Sequence, residues 1–599
     1  MADAASKTPK QILEEVLGTA TAKLFWTKNY QDAFPLSFDD FDIDAILPAM
    51  LYMFRRGFRR GAGQFGKVFG ESAGDGKHAI VTMRNVALKL GVRADVEGFE
   101  GAVGGNLLAD LLLAFSLQNR KHAPGRDEPL IRAFPSHYMA SWIDLPISVA
   151  NLRGVPEMLV ALLAQQESGD ALDPKMKGRT RFSITHDYAA NDLLRVFSAG
   201  MRTSDDPQRL QEDFDESSLI GVDQLLTVRI AHEMKEAPRR MTEARAQGSG
   251  IPNRRPLAEK AADDFSEDLR IFLRAYGQAV PRQSFLPMLE TAFCAGLSNV
   301  LLSTAEMLYV WREDGCLPQR REQQETALFV DCSDGGDYAL RRASEQSTDE
   351  CMRRLRAIPA ILSMLRILDE RAVYRVKSQP LPPHMPSAAA RINLLGDLLH
   401  GRMMKESERT DENIDEWAQK LGEQLRDAGQ HEDVVDLLNA RQKPAAERLG
   451  TAIAMLMGDK ITYVDLVQTI DSVWGIRIPH GLARSRRVHA DQTATRSRTR
   501  VVRSIVFSDA FLDFAVHRHL FKTVDKQRPL SFVRFLAILR ERYGFYVDQA
   551  PPGQSISGER LQKNRALLES RLRDLGLLVG VNDAESMKFL RPRFMARTA

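Results

Sequence analysis

Seven arginines, Arg484, Arg486, Arg487, Arg496, Arg498, Arg500 and Arg503, stand in one short stretch against a single acid, Asp491. A guanidinium can give a phosphate two parallel hydrogen bonds, and each neutralised phosphate releases counterion, so the cluster has the chemistry of polyanion binding. A solvated linker, or an arginine face for an acidic partner protein, would carry the same residues. A second set of cations follows: Lys563, Arg565, Arg571 and Arg573 in a helical pattern, and Lys588 beyond it. Gly61, Gly63 and Gly66, followed by Lys89, have the makings of a phosphate cradle, in which backbone amides approach the ligand and lysine neutralises it. The plainer reading is a glycine-rich turn beside a basic helix end. Asp331, Ser333, Asp334 and Asp337 gather oxygen ligands that suit magnesium or calcium. Asp, Ser and Gly are also what a strand-to-helix loop uses for turning and capping.

Other constellations fall short of a reaction. His232 and Glu233 open like a zinc-protease helix, but Glu236 stands where the second histidine ligand belongs. His517 and His519 have no Cys or carboxylate cluster near them in sequence, and an amphipathic helix face accounts for them. No Walker-type loop and no G-x-S-x-G occurs. The glycine loop through Val68 and the run Val86, Ala87, Leu88, Lys89 resemble the glycine-rich loop and lysine strand of protein kinases. That resemblance implies a divergent nucleotide-dependent enzyme. The sequence departs from it in three ways: 47–60 reads as helix, Asn191 stands one residue too close to Asp187, and no Asp-Phe-Gly follows to hold magnesium.

These groups have to be positioned by a chain of 599 residues, long enough for several cores. With 44% hydrophobic and 27% charged residues, composition argues for folding rather than global disorder. Net charge of only +3 confines any affinity for polyanions to local patches. Cys294, Cys316, Cys332 and Cys351 form no C-x-x-C pair, which disfavours a disulfide framework and fits a reducing cytoplasm. No apolar run reaches the roughly twenty residues of a membrane span, and no export signal or anchor is read. Arginine-for-lysine bias and Ala-rich helices fit a bacterial source with GC-rich coding.

The 3.6-residue apolar period predicts helices over 106–118, 156–166, 219–236, 262–276, 285–311 and 349–368. Residues 326–333 read as a buried strand without an identifiable partner. Breakers at 167–181, 247–256 and 378–387 suggest an N-terminal helical domain (1–170), a central helical domain with a short strand (182–377), a helical domain (388–480), a basic linker (481–504) and a C-terminal domain (505–599). No repeat is detected. The fold class expected is mainly α and multidomain, with a small α/β segment near 326–337.

The C-terminal text orders a helix over 530–543, an extended run, a Pro/Gly/Ser loop, a helix over 558–575 capped by Ser557 and stopped by Gly576, then two short strands, 577–581 and 586–590. That order over 530–594 resembles a winged helix, which implies docking on DNA or on a partner protein, with the second helix entering the major groove. The whole chain also resembles the large helical subunits of bacterial anti-phage loci such as methylation-associated defence systems; the junction Asp574, Leu575, Gly576, Leu577, Leu578 is the text that carries it. The expectation is a non-enzymatic, cytoplasmic nucleic-acid-binding and scaffolding subunit that needs no cofactor or membrane. Its partners would be double-stranded DNA and other protein subunits. A pure protein scaffold is the other reading.

Overall fold

The computed structural model describes residues 7–25, 30–56, 65–70, 81–93, 96–118, 130–143, 152–168, 181–182, 191–201, 217, 219, 221–234, 251–252, 255–323, 326–372, 387–429, 431–490, 498–523, 526–580 and 588–596. Gly61, Gly63, Asp187, Arg496, most of the Pro-rich boundary at 378–387 and the tip of the C-terminal strand pair lie outside the described residues. The architecture is mainly α, with short strands that close no sheet.

The chain divides into two compact units. One comprises Met1–Asp40, Arg255–Asp268 and Thr291–Arg593; the other comprises Phe41–Arg254, Leu269–Glu290 and Phe594–Ala599. Residues 388–480, 481–504 and 505–593 therefore share a unit with 291–377. In the second unit, helices such as Ile46–Arg56, Val155–Ser168 and Val222–Glu233 accompany two small antiparallel pairs, Ser116–Gln118 with Leu130–Ala133 and Arg181–Phe182 with Ile251–Pro252. Arg282 there donates to the carbonyls of Gly277 (2.7 Å) and Val196 (2.5 Å) while lying over the rings of Phe197 and Phe285.

The helix Glu259–Tyr276 buries Ala262, Phe265, Leu269, Phe272, Leu273 and Tyr276, the apolar stripe that its period predicts. The helix Arg282–Asp314 is long and apolar enough to cross a membrane by length and composition, although no run of that kind is expected from the sequence. Its apolar window is 94% buried inside the protein, as for a core helix. The single helix expected over 349–368 is two, Tyr338–Leu355 and Ile358–Arg371. Pro359 sits in the first turn of the second one, where its missing N–H costs nothing, whereas a continuous helix would lose a bond there. The helix expected over 106–118 ends at Ala114, and Ser116–Gln118 is strand.

Where a linker is expected over 481–504, Ala483–Ala490 pairs antiparallel with Arg498–Ile505. Alternation supports it once the partner is known: Val488, Val502 and Ile505 space the arginines along both strands. The strand near 326–333 is Leu328–Phe329, and it is not alone. It pairs in parallel with Phe545–Tyr546, and Val330 forms a parallel bridge to Ile505.

The last hundred residues of this unit run helix Asp509–His519, hairpin Phe521–Thr523 with Lys526–Gln527, strand Leu530–Ser531, helix Phe532–Tyr543, helix Gly558–Asp574, then strands Leu578–Val579 and Phe589–Leu590. The last three of these strands form one antiparallel sheet with Phe589–Leu590 in the middle. Ser531 caps the helix it opens by accepting from the Arg534 N–H, and Gly544 closes that helix in the left-handed conformation. Gly576 likewise takes φ +69° after the next helix, although Ser557 makes no side-chain cap bond at its start. Phe535, Leu539, Leu568, Leu572 and Leu577 fill the space between helices and sheet.

Candidate nucleic-acid interface

Register and alternation divide the hairpin arginines between two faces. Arg484, Arg486 and Arg500 pair across the ladder with Ser504, Val502 and Val488, and so share the face that meets the helix Tyr338–Leu355. Arg487 and Arg503, opposite Val501 and Ser485, belong to the other. Carboxylates meet most of them. Arg486 makes a two-pronged bond to Glu345 at 2.6 and 2.9 Å, Arg500 reaches Asp349 at 2.5 Å, and Arg484 stands 3.5 Å from Asp334. On the other face Arg503 grips Asp471 at 2.5 and 2.7 Å. Glu345 is 2% exposed; burial alone would raise its pKa, but the hydrogen bonds from Arg486 and Arg342 hold it below the usual carboxylate range. Arg487 is exposed, with no carboxylate in ion-pair reach among the described residues. Only the backbone of Arg498 is described.

The helix Gly558–Asp574 buries Asn564, Leu568 and Leu572 and turns Arg560, Gln562, Lys563, Ala566, Ser570 and Arg573 outward, together with the acids Glu559 and Asp574 at its two ends. Asn564 is fully buried: its Nδ2 donates to the carbonyls of Val330 and Val547, both at 2.9 Å, and its Oδ1 accepts from the Cys332 N–H at 3.0 Å. Lys563 meets Asp337 at 2.5 Å, Arg571 meets Asp509 at 2.7 Å, and Arg565 lies over the Phe532 ring. Arg573 and Lys588 share Glu569, at 2.6 and 2.8 Å. Arg560 is exposed at the start of the helix. An ion-paired cation has to exchange its carboxylate for a phosphate, so such a group adds less affinity than a free one.

The family described as methylation-associated defense system protein MAD7 matches residues 180–594, well over half of the chain and both cation-bearing segments. The chain belongs to that family. No curated protein and no solved structure matches it. It is therefore a component of a methylation-associated antiviral defence system.

In this defence protein the oxygen-rich loop after Leu328–Phe329 is turn chemistry. Asp331 accepts from the Ser333 N–H (2.9 Å), the Ser333 hydroxyl (2.5 Å) and the Gly335 N–H (2.9 Å). Asp337 caps the next helix by accepting from Ala339 and Leu340. Among the described residues no group of three or more His, Cys, Asp or Glu could hold a metal. The kinase-like expectation is not met in backbone form: Lys89 lies on the helix Met83–Leu90, bonded to the Val68 carbonyl, and Phe65–Phe69 is helical where that family has strand. His232 and Glu233 close the helix Val222–Glu233, and Glu233 pairs with Arg93. His517 is buried, with Nδ1 against the Asp513 carbonyl and Nε2 accepting from the Arg593 N–H.

Sequence reasoning missed a buried charge cluster in this family member. Asp268, 2% exposed, is met by Arg518 (2.7 Å) and Arg542 (2.8 Å), and accepts from the Tyr543 hydroxyl (2.7 Å). Burial opposes its ionisation, yet Arg542 and Arg518 win and hold its pKa at about 2. The His519 ring stands 2.8 Å from the same hydroxyl, and burial keeps its pKa well below the ordinary histidine value. The available signal was a set of charged residues at positions that the helical period assigns to the core.

Proposed function

We propose that the chain is a non-enzymatic subunit of a cytoplasmic antiviral defence assembly. Its C-terminal module is a winged helix that grips double-stranded DNA, and its helical body recruits the other subunits. The observation that supports this reading is topological. One helix precedes a first strand and one follows it, a third helix comes next, and the closing strand pair inserts its last strand between the other two, an order compatible with a winged helix. The third helix, Gly558–Asp574, keeps a solvent face with Arg560, Gln562, Lys563, Ser570 and Arg573, residue types that contact phosphates and base edges. Among the described side chains Arg484, Arg486, Arg500 and Arg503 act mainly in holding the hairpin to its own unit, and Arg487 does not.

Fluorescence anisotropy of the full chain on a labelled duplex tests this. The double variant Arg560→Glu with Arg573→Glu is expected to weaken binding at least tenfold and to lower the salt slope by about two counterions. Arg500→Glu should change it little. Unchanged affinity in the helix variant would refute DNA contact through the module.

A second reading has its own support. Val579 and Phe589 are ladder partners on the outer face of the sheet, 45% and 44% exposed, an apolar pair that suits protein docking. Phe589→Ser that keeps duplex affinity but loses co-purifying subunits would favour it.

A further inference from the structure

A cavity of about 270 Å³ opens in the larger unit where the end of helix Asp509–His519, the hairpin after it and the helix Phe532–Tyr543 meet the helix Glu259–Tyr276. Five cations line it, Arg518, Lys522, Arg528, Arg534 and Arg542, together with three carboxylates, Asp264, Glu267 and Glu541. Three of these cations are already matched. Arg518 and Arg542 are committed to buried Asp268 and to Glu267, and Arg534 pairs with Glu541 at 3.1 Å.

Arg528 is different. Its Nε donates to the His519 carbonyl at 3.2 Å, and among the described residues no carboxylate lies in ion-pair reach of its guanidinium. Partial burial, and then the neighbouring guanidiniums of Arg518, Arg534 and Arg542, lower its pKa, with Glu267 opposing. A half-buried cation repelled by three others is a local cost that Glu267 offsets only in part. Lys522, exposed on the adjoining strand, adds a second cation with no carboxylate partner among the described residues. An anion entering this space would relieve the repulsion and be met by donors from separate elements.

We propose that this cavity is a binding site for a phosphomonoester group, with Arg528 and Lys522 as its ligands and Arg534 at its wall. Tetrahedral phosphate accepts hydrogen bonds from several directions, which suits donors converging from a hairpin and a helix better than a planar carboxylate does. The volume is at the small end of ligand pockets, which run from roughly 300 Å³ upward, so it admits a phosphate with a nucleoside-sized remainder and little more. The apolar flanks, Phe521 and Ile538, give that remainder something to lie against. This site does not share residues with the DNA-contacting helix face, so the two readings stand or fall separately.

Isothermal titration of the full chain with inorganic phosphate, adenosine monophosphate and adenosine tests the group recognised. Paired oligonucleotides with a 5′-phosphate or a 5′-hydroxyl then distinguish a free nucleotide from a nucleic-acid end. Phosphate and the monophosphate are expected to bind and adenosine not. Arg528→Gln should weaken binding at least tenfold while leaving the thermal midpoint of the unliganded chain unchanged or raised, because it removes the repulsion. Lys522→Gln, on an exposed side chain, should give a smaller loss. No binding of phosphate or the monophosphate at millimolar concentration overturns the proposal, as does equal affinity in Arg528→Gln and the parent chain.

Discussion

His137 and His517 are both buried, and in each case burial, the dominant cause, lowers the pKa to about 4. Both are therefore neutral in the folded chain at pH 7, while the unfolded chain takes up their protons below about pH 6.5. Their contribution is complete above that value and is lost as pH falls toward 4, on the order of 3 kcal/mol each across the window. Asp268, held at about 2, acts in a lower window: its contribution is present above the ordinary carboxylate pKa and is lost in stronger acid. Guanidinium unfolding at pH 7.5, 6 and 5 should show midpoints that fall with pH, and His517→Gln should flatten that slope. An unchanged slope in the variant would assign the acid sensitivity elsewhere. At this scale the residue types were legible and their partners were not. The arginines of 484–503 are visible as a cluster, but Glu345 lies 141 positions from Arg486, and only the fold brings them together. Arg528 carried no sequence signal at all, because its distinguishing property is the lack of a carboxylate partner among the described residues.

Helices set their spacing through small residues, and two glycines make opposite predictions. A Cβ on Gly450, in the helix Ala445–Met457, would lie 2.6 Å from Met364 Cγ and 2.9 Å from the Met364 backbone nitrogen, so the neighbouring helix Ile358–Arg371 would have to move away. Gly450→Ala should lower stability by roughly 1–3 kcal/mol. At Gly422, in the helix Met404–Asp427, the nearest atom would be Leu438 Cδ1 at 3.9 Å, an ordinary contact. Gly422→Ala should instead add about 0.5–1 kcal/mol, from helix propensity and a less flexible unfolded chain. Thermal denaturation of both variants checks the pair, and like signs would contradict the packing described. Long amphipathic helices such as Glu259–Tyr276 were legible because a one-sided apolar period has few alternative explanations. The hairpin was not, since the arginine cluster suits a polyanion or a solvated linker equally until Glu345, Asp349 and Asp471 are seen to pair with Arg486, Arg500 and Arg503.

At the scale of the molecule, the C-terminal module is not an appendage. The N–H groups of Leu328 and Val330 donate to the carbonyls of Gly544 (2.8 Å) and Tyr546 (2.9 Å), and Asp331 N–H donates to Ile505 (2.8 Å). Asn564 fastens the same segment from the other helix. A chain ending at Ile505 should therefore unfold at a lower temperature than the full chain, because buried donors and apolar side chains of 328–332 lose their cover. An unshifted midpoint would show the module to be independent. Parallel pairing across more than two hundred residues left no trace in local pattern, which is why a lone strand was read without a mate. The family match from residue 180 to 594 takes in both ends of that pairing. The Leu328 and Val330 amides are consequently a built-in gauge: in deuterated solvent their exchange rates report how often the terminal module lifts away from the strand Leu328–Phe329, and a bound cargo that clamps or pries it would register there without any label.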